Sequence, residues 1–201
     1  MFASVRSATL LGVRGLRVDV EVHAGIGLPG FTIVGQPDEA CRESRDRVRA
    51  ALLSCGFSWP TRRITVNLAP SGERKSGACL DLAIAIGVLA AQDLVSIDVL
   101  AKYAFIAELG LDGSLRPVRG ATPLVLAVND RESVVALGNL GEATAASTVN
   151  VLGARTLFDV VECLAGRAVW HTAQPGEHST KVQSVVRDLA DVQGQPVARR
   201  A

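Results

Sequence analysis

The chain has 201 residues, 48 % apolar and 20 % charged, with a formal net charge of +1. That composition supports one good core, or a domain and a tail, and excludes a largely disordered chain. The near-zero net charge gives no global argument for a nucleic acid or a membrane surface as partner.

The first elements are two strands, Ser4–Leu11 and Leu16–His23, around a turn at Gly12–Gly15. In the second, Leu16, Val18, Val20 and Val22 alternate with Arg17, Asp19, Glu21 and His23, the period of a half-buried strand. Gly25 to Gly30 then spells G-x-G-x-x-G. A dinucleotide site needs those glycines to open a helix. Here Pro29-Gly30 makes a turn and Phe31–Val34 returns as strand, so the segment reads as a hairpin-like loop.

Pro37-Asp38-Glu39 starts a helix, with acids in its first turn. Cys41, Ser44, Val48, Ala51, Leu52 and Cys55 recur at helical spacing and form its buried stripe. Arg42, Arg45, Asp46 and Arg49 fall on the other face, and Gly56 supplies the stop. Six arginines lie between positions 42 and 63 and offer a basic patch for phosphate backbones. Interleaved acids, a Glu43–Arg47 pair at i,i+4 and the lack of interspersed aromatics favour a solvated helix face instead.

The stretch Asn67–Ala90, which joins a β-like run at Arg63–Leu68 to the most apolar helix, is the centre of the chain. Ile64, Val66 and Leu68 alternate with Thr65 and Asn67 as a strand, and Pro70, Ser71 and Gly72 break it. From Ala78 to Gln92 the chain reads as a helix whose only charge is Asp81. Its uncharged part, Leu82–Gln92, is 11 residues, too short to cross a bilayer and suited to a core. Arg62, Arg63, Arg74 and Lys75 are expected to form an exposed basic rim around the turn, contacting phosphate or a partner.

Beyond it, Tyr103–Leu109 is a strand, Asp112-Gly113 a hairpin turn, and Pro123–Asn129 a helix. Ser133–Leu137 and Thr148–Leu152 read as strands, with a short helix or loop at Gly141–Ala146 and a last helix at Leu157–Ala165. The class is therefore α+β, a mixed α/β chain with a mixed sheet. From Arg167 to about Lys181 the sequence is polar and turn-rich, as in a linker. Met1–Gly15 carries Arg6 and Arg14 and no apolar run, so no signal peptide is read and the chain is expected to be cytoplasmic, with no membrane partner. Cys41, Cys55, Cys79 and Cys163 form no C-x-x-C pair and read as reduced, core-filling thiols. No G-x-x-x-x-G-K-[ST] cradle for ATP phosphates is present, and His23, His171 and His178 have no ligand at metal spacing. Neither a cofactor nor a metal is expected on this stretch.

Three segments carry a resemblance: F-T-I-V-G-Q-P-D-E-A-C-R-E-S-R-D-R-V-R-A-A at Phe31–Ala51, N-L-A-P followed by G-x-x-x-D-L-x-I-A-I-G-x-L at Asn67–Leu89, and A-E-L-G-L-D-G-S-L-R-P-V-R-G at Ala107–Gly120. In that order they resemble the N-terminal domain of the YifB/ComM family of magnesium-chelatase-like AAA+ ATPases. The resemblance implies a fold like Lon-type protease domains and GHMP kinases, with a mixed sheet and a left-handed βαβ crossover, over residues 1–166. It makes 167–187 a linker. It makes Asp188–Ala201, with its D-x-x-D-V-x-G-Q run, the truncated start of an AAA+ ATPase domain of a longer protein. ATP and Mg would belong to that domain. The partners implied are the chain's own AAA+ domain, DNA and, for the parent, a ring of copies.

Likeness to a Ser–Lys peptidase raises a second reading. Aligning K-S-G-A-C with the protease's nucleophile run puts Cys79 in the nucleophile slot, and Thr122 where the lysine base should stand. Threonine cannot act as that base, and of the three lysines only Lys75 is near enough in sequence to substitute. No catalytic residue is therefore assigned, and Cys79 and Thr122 mark a degenerate protease-like pocket. Three functions stand: a non-catalytic domain of a DNA-acting ATPase (branch migration or helicase action in recombination or natural transformation), a partner-docking or oligomer-organising module, and a degenerate hydrolase.

Overall fold

A computed structural model of the chain describes residues 1–173. The expected AAA+ start at 188–201 and the linker beyond Ala173 lie outside the described residues. Two long strands open the fold, β1 (Phe2–Leu11) and β2 (Arg14–Gly25), paired antiparallel from Phe2↔His23 to Leu11↔Arg14. Val18, Val20, Val22 and Ala24 are buried in β2, so the alternation read in the sequence sets the register.

The loop after β2 leads into β3 (Gly30–Val34), and here the hairpin expectation is corrected. β3 does not pair with β2. The later strand β4 (Arg63–Ala69) sits between them, antiparallel to β2 and parallel to β3. Val66 and Ile64 from β4 supply the buried pairing that a two-stranded return could not. Between β3 and β4 runs α1 (Glu39–Ser54), N-capped by Asp38, whose carboxylate accepts from the Cys41 amide at 2.8 Å. Cys41, Ser44, Val48, Ala51 and Leu52 form its buried stripe, with Cys55 half-buried, as the periodicity requires.

The central helix begins as a 3₁₀ turn at Ala78–Leu80 and continues as α2 (Asp81–Ala90), in which all ten residues are buried. Gly87 lets it press on the sheet, for a Cβ there would meet Val22 Cγ2 at 2.5 Å. After a short α3 (Ile97–Leu100), the strand expected at Tyr103–Leu109 divides. β5 (Tyr103–Ile106) joins the main sheet parallel to β1, whereas β6 (Glu108–Leu109) pairs with β7 (Leu115–Arg116) as a separate hairpin over the Asp112-Gly113 turn.

Then follow α4 (Ala121–Ala127), β8 (Glu132–Ala136), α5 (Leu140–Ala146), β9 (Val151–Ala154) and α6 (Leu157–Leu164). Helix α6 carries a capping box, Thr156 and Asp159 each accepting the other's amide. Where a linker is expected from Arg167, the chain first adds β10 (His171–Thr172) antiparallel to β9, and Trp170 packs on Tyr103 with ring centres 5.7 Å apart.

Over the described residues the result is mixed α/β, with an eight-stranded mixed sheet in the order β10-β9-β8-β5-β1-β2-β4-β3. β1 is the seam: its neighbours are antiparallel on the β2 side and parallel on the β5 side. Helix α2 covers the face bearing Val5 and Val22, and α4 covers the face bearing Leu10 and Gly15. On that second face, directly opposed Arg6 and Asp19 form a cross-strand ion pair at 2.6 Å, and Arg6 reaches Asp130 at 3.3 Å.

Candidate functional site

The turn after β4 is built around its own backbone. Lys75 is fully buried, and its Nζ donates to the carbonyls of Pro70 and Glu73. Burial lowers its pKa, because the interior disfavours the ammonium. The Lys75 amide donates to Gln36 O at 3.1 Å and its carbonyl accepts from the Asp38 amide at 2.9 Å, so the turn adds a rung to the segment before α1. Asp38 also accepts from Gly77 N at 3.1 Å. Partial burial alone would raise its pKa, but the bonds from the Cys41 amide, Ser76 and the Gly77 amide hold its carboxyl below the ordinary value.

This arrangement corrects the expected basic rim. Lys75 is an internal clamp of the turn and is not exposed. Arg62 and Arg63 are exposed at the start of β4, while Arg74 is exposed beyond its end. Seven residues of strand put these ends about 20 Å apart. The four positions form no single patch.

Below the turn, Asp81 is fully buried at the head of α2. A lone buried carboxylate is prohibitive unless it is paired, and four donors satisfy it. Ser44 Oγ donates at 2.5 Å, Arg47 Nε at 2.6 Å, a terminal Arg47 nitrogen at 3.0 Å and the Leu109 amide at 3.3 Å. The same guanidinium donates to Ala40 O at 2.7 Å and meets Glu43 at 3.3 Å. Its bonds to Asp81 raise the Arg47 pKa further. The expected Glu43–Arg47 pair is therefore present, but the inward partner is the structural one. Asp81 as the single charge of an apolar helix was the signal that such a partner must exist.

Beside the turn a cleft of about 360 Å³ is walled by Leu10, Gly77, Cys79, Glu108, Val118 and Arg119, among others. Cys79 is 7 % exposed, with Sγ 3.4 Å from Ala8 O and 3.7 Å from Ser76 O. Burial pushes the thiol up to about 11, the opposite of nucleophile activation. Thr122 is not part of this wall, and its amide donates to Glu142 at 3.1 Å. Lys75 Nζ is engaged by carbonyls within its own turn, away from the role of a rescuing base. Glu108 lies 3.8 Å from Arg116. The cleft can receive a small group or chain; its thiol is protonated, and neither Thr122 nor Lys75 stands beside it as a base. Among the described residues no three His, Cys, Asp or Glu side chains converge as a metal group.

On the far side of α1 the structure supplies what the sequence reading of its arginines lacked. Arg42, Arg45 and Arg49 are exposed, and half-buried Phe31 and Trp59 lie among them with ring centres 5.4 Å apart. The open end of the β2–β3 loop, Ile26 and Leu28, is almost fully exposed, and no helix begins there.

A family model described as subunit ChlI of Mg-chelatase matches residues 20–139. Competence protein ComM of Haemophilus influenzae is 42 % identical over 204 residues, covering 99 % of this chain and 40 % of that protein. An uncharacterized protein of Mycobacterium tuberculosis is 41 % identical over 201 residues, covering 97 % and 39 %. YifB of Escherichia coli, also uncharacterized, is 36 % identical over 198 residues, covering 98 % and 39 %. The chain thus spans about two fifths of the length of the curated relatives that it matches.

Proposed function

This chain belongs to the YifB/ComM family of magnesium-chelatase-like proteins, and we propose that it is the non-catalytic N-terminal domain of an ATP-driven member that acts on DNA. The observation that carries this reading is the alignment of nearly the whole chain with two fifths of ComM, a protein named for competence. On this reading the AAA+ domain, its ATP and Mg, and a ring of copies belong to the remaining part of the protein, joined through a linker within 167–187. The fold is then the Lon-type domain, with the left-handed βαβ crossover that the sequence resemblance implies. The buried, poorly ionised Cys79 supports a non-catalytic role.

The test is ATP hydrolysis by the full-length protein, with and without branched DNA, compared with the same protein lacking residues 1–173. Stimulation by DNA in the intact protein is expected. An intact protein that hydrolyses ATP at one rate with or without DNA overturns the reading. A second reading, a docking or oligomer-organising module without DNA contact, draws on the exposure of Ile26 and Leu28, 102 % and 88 %. Changing both to Ser would then reduce ring assembly and leave DNA affinity unchanged.

A further inference from the structure

Resting on that reading, and naming the form of nucleic acid and its site, we propose that the groove between α1 and the open edge of β3 binds single-stranded nucleic acid, with Arg42, Arg45 and Arg49 on phosphates and a base against Phe31 and Trp59.

The groove consists of two adjoining recesses of about 290 and 260 Å³ that share Phe31 and Arg45. One wall is α1. Its rise of about 1.5 Å per residue sets Arg42, Arg45 and Arg49 in a row, roughly 4.5 and 6 Å apart along the axis. Among the described residues Arg42 and Arg49 form no ion pair, and Arg45 meets only exposed Asp46, at 3.0 Å. An exposed pair of that kind holds an arginine weakly, so the row presents three available guanidinium groups. Arg63 extends the positive charge, since it begins β4 directly opposite Gly30, which lines the same groove.

The floor is aromatic. Phe31 and Trp59 are tilted by 38° to each other and half-buried, fixed from behind by the core and open in front. A duplex hides its base faces, whereas a single strand can lay one on such a platform while its backbone follows the arginines. An acidic peptide added to the β3 edge would use the arginines but not the aromatic floor. The aromatic pair therefore favours unpaired bases.

Trp59 and Trp170 are the two tryptophans of the chain, so W170F leaves Trp59 as the only indole emitter. Titration of the W170F chain with a twelve-residue oligothymidylate should quench its fluorescence, more strongly than the corresponding duplex does. Affinity should fall with salt at a logarithmic slope of about −0.7 per phosphate held, and R45A/R49A should make that slope shallower by about 1.4. Both substitutions lie on exposed side chains and should leave the melting temperature unchanged.

Oligothymidylate binding that neither quenches Trp59 nor responds to R45A/R49A places the nucleic-acid site elsewhere and overturns this proposal, while DNA-stimulated hydrolysis by the full-length protein would still stand. Absence of binding to the chain overturns it as well. Binding of poly-L-glutamate as tight as that of oligothymidylate, and equally sensitive to R45A/R49A, would make the groove a peptide site.

Discussion

Arg47→Ala isolates the energetic role of the buried pair between α1 and α2. The substitution removes two of the four hydrogen bonds that the described residues make to the fully buried Asp81 and leaves those from Ser44 Oγ and the Leu109 amide. Removing one partner of a buried ion pair costs about 3–5 kcal/mol, because the remaining charge is stranded without compensation. That is a large fraction of the roughly 5–15 kcal/mol that holds a domain together. With a urea dependence of about 2 kcal/mol per molar, the unfolding midpoint should fall by roughly 1.5–2.5 M. Arg47→Lys should recover little, since one ammonium cannot reproduce the two-nitrogen contact. Asp81→Leu combined with Arg47→Met should cost much less than the two single changes summed, because it removes both charges together. Urea titration followed by circular dichroism on the unsubstituted protein, the four single variants and the double variant measures this. A midpoint shift below about 0.5 M for Arg47→Ala, or additivity in the double variant, would refute the argument.

The cysteines should label in an order set by burial. A small electrophile at neutral pH should modify half-buried Cys55 and Cys163 well before Cys79, whose thiol is pushed up to about 11, as read by mass spectrometry; faster modification of Cys79 would make the cleft a reactive site. Asp38, whose folded pKa lies below its ordinary 3.8, contributes stability that is complete above that value and lost as pH falls through the lower folded one. Asp38→Asn should therefore lower the urea midpoint at pH 6 and flatten its decline below about pH 4, and parallel curves for the two proteins would rule that linkage out.

Much of the fold is legible in the sequence where burial is one-sided. The alternation in β2 and β4 and the stripe on α1 each have one wet face, so their period is printed in the residues. The order of the strands is not printed there. Local signals joined β2 to β3 across a turn, and only the competition of β4 for both edges excludes that pairing. The sequence places Lys75 at the surface because a lysine in a polar loop is ordinarily solvated, whereas this loop closes on its ammonium with two carbonyls. The groove proposed for single strands is hidden for a related reason. Phe31 and Trp59 stand on segments 28 positions apart and meet only after β3 has paired parallel to β4.

The seam position of β1 imposes an order on folding during synthesis. Its antiparallel partner β2 leaves the ribosome immediately after it, but its parallel partner β5 ends at Ile106. At about 5–20 residues per second, the translation of the intervening stretch takes roughly 5–20 s. Through that interval β1, β2, β4 and β3 can assemble with α1 and α2 above them, while the β5-facing edge of β1 remains open. An unpaired, apolar strand edge is a template for other nascent chains. The half of the sheet read first is thus the half that needs shielding, and slowing translation between Leu11 and Ile106 should lower the yield of folded chain more than slowing it after Ala154.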